Sequence, residues 1–380
     1  MTIAQCAAAF GVAAVSIQAL SATVAAYRCR KRKQALPAPE QAPAVSIIRP
    51  LCGLDPFLRE TLASTFALDY PAYEVLFCLA DADDPVAPLA RRLIEAHPDI
   101  PSRLLIGDDR PSANPKLNNC VKGWKAAAHQ WIILADANVM MPKDYVQRLL
   151  ARWRANSGIV CAPPVGSAPG SFPAEVECAF LNTYQARWQY AGEAFGFGFA
   201  QGKTMLWRRD ILEAGGGIEA LGAEIAEDAA ATKLIHRAGL SAHLVDSSFE
   251  QPLGVRKWRE VWARQVRWAR LRRATFPLAF APEILTTGLF ALVAVFAGAS
   301  EFDGSAWIAT LTAAIIWYGS EAMLAACAGW SLSLLSPFAW IIRDLALPAL
   351  YIQAWTSNEF TWRGNEMTVA EDDEAIGAAR

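Results

Sequence analysis

Charge is scarce in this chain, and neither sign is in excess. Only 19% of its 380 residues are charged, against about 25% in an ordinary soluble domain. Thirty-five Lys and Arg face 37 Asp and Glu, a formal net charge of −2. That excludes a globally basic nucleic-acid binder, and only local basic patches are left to explain. Histidine is also scarce; the four are scattered, which argues against a His-rich metal centre. The eight cysteines stand at positions 6, 29, 52, 78, 120, 161, 178 and 327, and no two form a CxxC pair. They read as reduced, mostly buried thiols and not as a disulfide framework or a zinc site. What is abundant is apolar: hydrophobic residues make up 54% of the chain, with a mean hydropathy of +0.19. Intrinsic disorder is excluded, and a wholly soluble protein does not fit. The length corresponds to two or three domains at about 150 residues each.

The apolar residues are concentrated in two blocks. Residues 3–27 carry no charge and end in Tyr27-Arg28-Cys29-Arg30-Lys31-Arg32-Lys33. About 20 apolar residues span a bilayer as a helix. A cleaved signal peptide carries its cations before the apolar stretch, and here they come after it. The spacing therefore predicts an uncleaved anchor over 1–33 with its basic flank in the cytoplasm. A second block, 276–357, holds candidate spans at 282–299, 306–328 and 336–356, the last interrupted by Arg343-Asp344. Short breaks at Glu301-Phe302-Asp303-Gly304 and at Gly329-Trp330-Ser331 separate them. Residues 34–43 form a Pro-marked linker, and 358–380 a polar tail.

Between the blocks, 44–275 reads as one α/β domain. Strands are predicted at 45–48, 73–80, 103–106, 131–135 and 158–162. Helical patterns over 57–68, 86–96, 116–128 and 143–155 alternate with them. This alternation predicts a mostly parallel sheet with helices on both faces. In such sheets ligands bind beyond the carboxyl ends of the strands.

Two predicted strands end in acids. One runs into Asp81-Ala82-Asp83-Asp84-Pro85, the other into Asp136-Ala137-Asn138. Carboxylates there can hold a divalent cation against a nucleotide diphosphate, and Mg²⁺ needs only one or two of them when phosphates and waters complete its shell. Polar turns and helix caps are the plainer alternatives for each. A third pair, Glu227-Asp228, opens a predicted helix over 227–238, where the helix dipole alone could account for an acid. The same place would keep a carboxylate ionised and ready to act as a base.

The strongest local signal is Arg264-Gln265-Val266-Arg267-Trp268. Residues 255–273 hold eight Arg or Lys and one acid, interleaved with Trp258, Trp262 and Trp268. At helical spacing Arg264, Arg267 and Trp268 share a face. Two guanidiniums and an indole there suit a diphosphate leaving group beside a sugar or lipid. An amphipathic helix on an anionic membrane surface would use the same residues.

Taken in order, these elements resemble the ceramide glucosyltransferases, membrane glycosyltransferases of the GT-A type. The resemblance is carried by Arg49-Pro50-Leu51-Cys52-Gly53-Leu54-Asp55-Pro56, by Asp69-Tyr70-Pro71, by Asp81-x-Asp83-Asp84-Pro85, by Asn114-Pro115-Lys116-Leu117-Asn118-Asn119, by Ile225-Ala226-Glu227-Asp228 and by the RxxRW element. It covers nearly the whole chain. It implies a UDP-sugar donor, a lipid acceptor such as ceramide, a divalent cation (Mg²⁺ or Mn²⁺), a bilayer and no nucleic acid. Asp81, Asp83, Asp84 and Lys116 would then face the nucleotide-sugar, with Asp136 at the metal and diphosphate. Asp228 would be the base, and Arg264, Arg267 and Trp268 would serve the diphosphate and acceptor.

Three departures stand beside the match. Asn138 replaces the second carboxylate of a strict DxD. Gln185 falls, in rough register, where the ceramide enzymes carry a histidine. Gly202-Lys203-Thr204 mimics part of a phosphate loop without its preceding strand, and reads as a strand start near the acceptor. The alternatives are diacylglycerol or hopanoid acceptors, a processive polysaccharide synthase (for which three or four spans are few) and a catalytically degenerate membrane scaffold.

Overall fold

The computed structural model describes residues 2–30, 34–301, 305–362 and 365–368. Lys31-Arg32-Lys33 of the basic flank, Phe302-Asp303-Gly304 of the expected break and the polar tail from 369 lie outside the described residues. The chain divides into two compact units. One comprises Arg28–Ala168 and Gly192–Gly254; the other comprises Met1–Tyr27, Pro169–Ala191 and Val255–Arg380.

This division differs from the continuous domain expected over 44–275. Pro169–Ala191 and the helix Trp258–Thr275 group with the apolar helices. Packing is the reason: Val176, Ala179, Phe180 and Val266 share one buried cluster with Ala339, Trp340 and Leu350. The apolar side of the Arg-rich helix is covered within that unit.

The first unit is built on a sheet. Its strands are β1 (Val45–Pro50), β2 (Tyr73–Leu79), β3 (Ser102–Ile106), β4 (Trp131–Ala135), β5 (Ser157–Cys161), β7 (Thr204–Arg208) and β8 (Ser241–Leu244), in the order β3-β2-β1-β4-β7-β5-β8. Two further strands, β6 (Val165–Pro169) and β9 (Glu250–Gly254), pair as a separate ribbon. β1 and β2 are buried along nearly their whole length, as near-continuous apolar strands covered on both faces must be. The β3-β2-β1-β4 half is parallel, with Val45 opposite Tyr73 on one side and Trp131 on the other. β7 runs antiparallel to both β4 and β5.

That reversed strand positions the site. The segments after β1, β2 and β4 leave the parallel sheet at one edge. Because β7 is antiparallel, its beginning lies at that same edge. Thr204 is the partner of Ala135, and one step outward the Asp136 N–H donates to the Lys203 carbonyl at 3.0 Å.

The helices follow the expected pattern with two differences. Pro115–Ala126 is capped by Asn114, whose side chain accepts from the N–H groups of Lys116 and Leu117, and Pro115 opens the helix. The stretches expected as helices over 57–68 and 143–155 are shorter, at Leu58–Ala63 with a 3₁₀ turn and at Tyr145–Leu150.

In the second unit, Ile3–Arg28 and Ala306–Ala328 are long and apolar enough to cross a membrane. Pro277–Thr286 and Gly288–Ala299 would make a third span only if counted together across a 54° bend. Ser336–Thr356 forms a helix but is not among these candidate spans. Its Arg343 and Asp344 are buried, with Arg343 Nη2 at 2.8 Å from both Glu321 Oε1 and Asp344 Oδ1. Glu321 also accepts from Gln18 Nε2 at 3.0 Å and from the Thr183 hydroxyl at 2.6 Å.

Candidate active site

Asp136 follows β4, and the turn it begins is shaped from beneath. Arg49, the fifth residue of β1, is fully buried. Its Nη2 donates to the carbonyls of Asp136 at 2.9 Å, Ala137 at 2.8 Å and Val139 at 3.0 Å. Its Nη1 donates to the Thr61 carbonyl at 2.7 Å and to Thr65. Burial pulls Arg49 down to about 10, against the opposing pull of Tyr145 and Asp136, so it remains a cation at neutral pH.

The Asp136 carboxylate is held between two lysines. Its Oδ1 lies 2.6 Å from Lys116 Nζ, and its Oδ2 accepts from Lys203 Nζ at 2.8 Å. The same Lys203 ammonium donates to Asn138 Oδ1 at 3.2 Å. Burial alone would raise the Asp136 pKa, but the two ammonium groups outweigh it and hold the carboxyl well below its usual range.

Lys116 ties the end of β4 to the start of a helix. Besides Asp136 it pairs with Glu227 and donates to the Gly202 carbonyl. Asn114 Nδ2 donates to the other Glu227 oxygen at 2.7 Å. Burial works against the charge on Lys116, and Asp136 and Glu227 more than restore it, raising its pKa. Gly202 has no room for a side chain, since a Cβ there would stand 2.7 Å from Glu227 Oε1.

Asp228 is the second residue of the helix Glu227–Arg237. Its Oδ2 accepts the Gly202 N–H at 3.0 Å and its Oδ1 the Ala229 N–H at 2.9 Å. The helix start was expected to favour the ionised form, yet the group titrates at about 6. Burial comes first, then the neighbouring Glu227 charge, and together they outweigh Lys116 and the two amides. A carboxylate that ionises just below neutral pH is well suited to general base work.

The first acid cluster is organised differently. Asp84 accepts the Gly53 N–H with both oxygens at 3.0 Å, and its Oδ1 also accepts from Val86 N–H at 2.9 Å. Gly53 sits at φ +65°, a conformation that favours glycine. Asp81 accepts from Asp83 N–H at 2.9 Å, and both residues are exposed. Asp84 thus joins the loops after β1 and β2, bonded to backbone amides and not to a lysine.

Arg264, Arg267 and Trp268 belong to the other unit, on the helix Trp258–Thr275. Arg264 pairs with the buried carboxylate of Glu177, whose Oε2 is also 3.6 Å from Arg256 Nε. The Arg264 guanidinium carbon is 6.0 Å from the Trp268 ring centre. Gln185 lies in the π-helical segment Phe180–Ala186 and donates to Gln265 Oε1 at 2.9 Å.

Among the described residues no three His, Cys, Asp or Glu side chains converge as a metal site. The expected cation must therefore be judged on Asp136 and Asn138. Their side-chain oxygens converge on one point, and a positive charge, the Lys203 ammonium, already stands there. A carboxylate and an amide oxygen fit a hard cation whose remaining ligands come from phosphate and water.

Sequence reasoning did not assign Arg49, Lys203, Glu227, Asn114 or Glu177. Arg49 carried a signal, a cation inside an otherwise apolar buried strand. Lys203 lay in a segment read as a weak phosphate-loop mimic.

A mostly parallel sheet with one antiparallel strand inserted, and its charged side chains gathered beyond β4, defines a GT-A glycosyltransferase fold. Among solved structures, the mannosyltransferase PcManGT from Pyrobaculum calidifontis, in complex with GDP-Man and Mn²⁺, is similar over 89% of this chain and 99% of its own, with a TM-score of 0.50 and 19% identity. The family model for glycosyl transferase family 21 matches residues 12–375, and the chain belongs to that family. Ceramide glucosyltransferase 1 of Caenorhabditis elegans is 24% identical over 335 residues, which is 86% of this chain and 72% of that protein. A ceramide glucosyltransferase of Komagataella phaffii is 37% identical over 121 residues, 31% of this chain and 24% of its own.

Proposed function

We propose that this family 21 glycosyltransferase moves glucose from UDP-glucose to the primary hydroxyl of ceramide, with inversion at the anomeric carbon. The observation that carries the reading is the chain of contacts Asp136–Lys116–Glu227, which brings the carboxyl end of β4 to the helix that begins with Asp228. Donor and base functions then share one rigid framework. The names of the relatives support glucose and ceramide as the first pair to test.

In this reading Asp81, Asp83 and Asp84 serve the uracil and ribose. Lys116 stays protonated and supplies positive charge toward the diphosphate. Asp136 and Asn138 would hold a divalent cation, which would supply positive charge against the diphosphate. Asp228 takes the acceptor proton as the lipid oxygen attacks. The RxxRW residues Arg264, Arg267 and Trp268 keep the role their motif implies, stabilising leaving-group charge and receiving the acceptor. Glu177 holds Arg264 in place. The catalytic domain faces the cytoplasm.

The test is lipid mass spectrometry of a heterologous host that makes ceramide and UDP-glucose, with UDP release measured on the purified protein in lipid micelles. A new β-glucosylceramide is expected. A hexosylated diacylglycerol or hopanoid would replace the acceptor, a different hexose would replace the donor, and a chain releasing no UDP with any donor would be a degenerate scaffold.

A further inference from the structure

Lys203 is used by none of the roles above, yet it occupies the centre of the candidate cation place. Its position is not a matter of side-chain chance. The antiparallel pairing of β7 with β4 makes Lys203 the backbone neighbour of Asp136, and the Asp136 N–H donates to its carbonyl. From there the side chain returns to the same residue, and Nζ meets Asp136 Oδ2 at 2.8 Å and Asn138 Oδ1 at 3.2 Å. Lys116 covers the other Asp136 oxygen. One carboxylate thus faces two ammonium groups in a site where all three side chains are less than a fifth exposed.

A free divalent cation approaching these oxygens meets an ammonium already in its place and a second one beside it. At short range and partly out of water, such like-charge repulsion is strong. A diphosphate changes the balance, because its oxygens offer Lys203 another partner and add ligands for a hard cation. We propose that Lys203 is a resident counter-ion that keeps the Asp136–Asn138 site closed to free divalent cations and yields it when the nucleotide diphosphate arrives. Cation binding is then ordered, with the donor first or together with the metal. The substitution of Asn138 for a second carboxylate belongs to the same device. With one negative charge instead of two, a single lysine can balance the site and still be displaced. The proposal rests on reading this edge of the sheet as the nucleotide-sugar site.

The experiment is Mn²⁺ binding to the full chain in detergent, followed by the electron paramagnetic resonance signal of free Mn²⁺, with and without UDP. Wild type should bind Mn²⁺ at least about tenfold more tightly when UDP is present, and Lys203→Met should tighten UDP-free binding by about tenfold or more. Lys203→Arg keeps a charge in place and should stay close to wild type without UDP. Equal Mn²⁺ affinity of wild type with and without UDP would overturn the proposal, as would no Mn²⁺ binding in either state. So would a folded Lys203→Met protein whose UDP-free affinity is unchanged. UDP binding is measured separately by calorimetry. Its absence in wild type counts against the nucleotide-sugar reading, whereas normal UDP binding with unresponsive Mn²⁺ affinity removes only the role of Lys203.

Discussion

Arg49 grips Asp136 at its backbone carbonyl and not at its carboxylate. The guanidinium donates to the Asp136 carbonyl at 2.9 Å, while the carboxylate is taken by Lys116 and Lys203. Arg49 therefore fixes the turn and leaves the charge of Asp136 to the site. Arg49→Met should remove the donations to the Asp136, Ala137, Val139 and Thr61 carbonyls and cost about 1–3 kcal/mol of stability. Thermal unfolding followed by tryptophan fluorescence checks this, and a variant as stable as wild type would show that the turn holds itself.

Asp228→Asn keeps the shape of the side chain but cannot accept a proton. Turnover should fall by about two to four powers of ten while UDP binding survives, because a general base contributes in that range. The wild-type profile has a definite sign. With Asp228 titrating at about 6, activity should fall as pH drops through 6 and level off above it. An Asp228→Asn enzyme with near-normal turnover, or a product of retained configuration, would remove Asp228 as the base.

Asp136→Ala should abolish cation-dependent transfer. Asp136→Asn should fail as well, since the amide carries no charge to oppose Lys116 and Lys203. Full wild-type activity in excess chelator would contradict the assignment of a cation to this residue.

Arg267→Lys keeps a charge and loses the planar fork, so it should stay badly impaired. Trp268→Phe should be milder than Trp268→Ala. Wild-type turnover in Arg267→Lys would make that residue a surface cation and not a diphosphate ligand.

Orientation is tested by fusing a reporter after Lys33. The cationic flank following the first apolar run predicts a cytoplasmic signal. A periplasmic or extracellular signal would reverse the domain and remove it from the compartment where UDP-sugars are made.

Much of the α/β unit was legible because buried parallel strands write themselves as apolar runs. Val45-Ser46-Ile47-Ile48 and Trp131 to Ala135 could be placed from composition alone. The acids that end such runs could be placed with them. Lys203 and Glu177 could not. Each gains its meaning from a partner distant in the chain, Asp136 in one case and Arg264 in the other, and no local period records such a pairing. The π-helical stretch Phe180–Ala186 was equally silent, since its residues differ little from those of an α-helix. The pKa of Asp228 shows a different limit. The helix start was readable, but the burial and the Glu227 charge that outweigh it are properties of the packed site.

The Arg343–Glu321 contact also governs how the chain is made. Ala306–Ala328, long and apolar enough to cross a membrane, carries Glu321, and an unanswered acid at mid-bilayer costs about 2.5–3.5 kcal/mol even by the mildest scales. The glutamate that answers the arginine lies on Ala306–Ala328, a helix the ribosome completes first. That earlier helix must wait, with its acid unanswered, until the later one emerges. The later helix, which is not itself a candidate span, therefore supplies the cation that answers the acid of the earlier one. A chain that stops before Ser336 should present a stranded glutamate to the membrane quality-control machinery and be degraded, although every residue of the α/β unit has been synthesised.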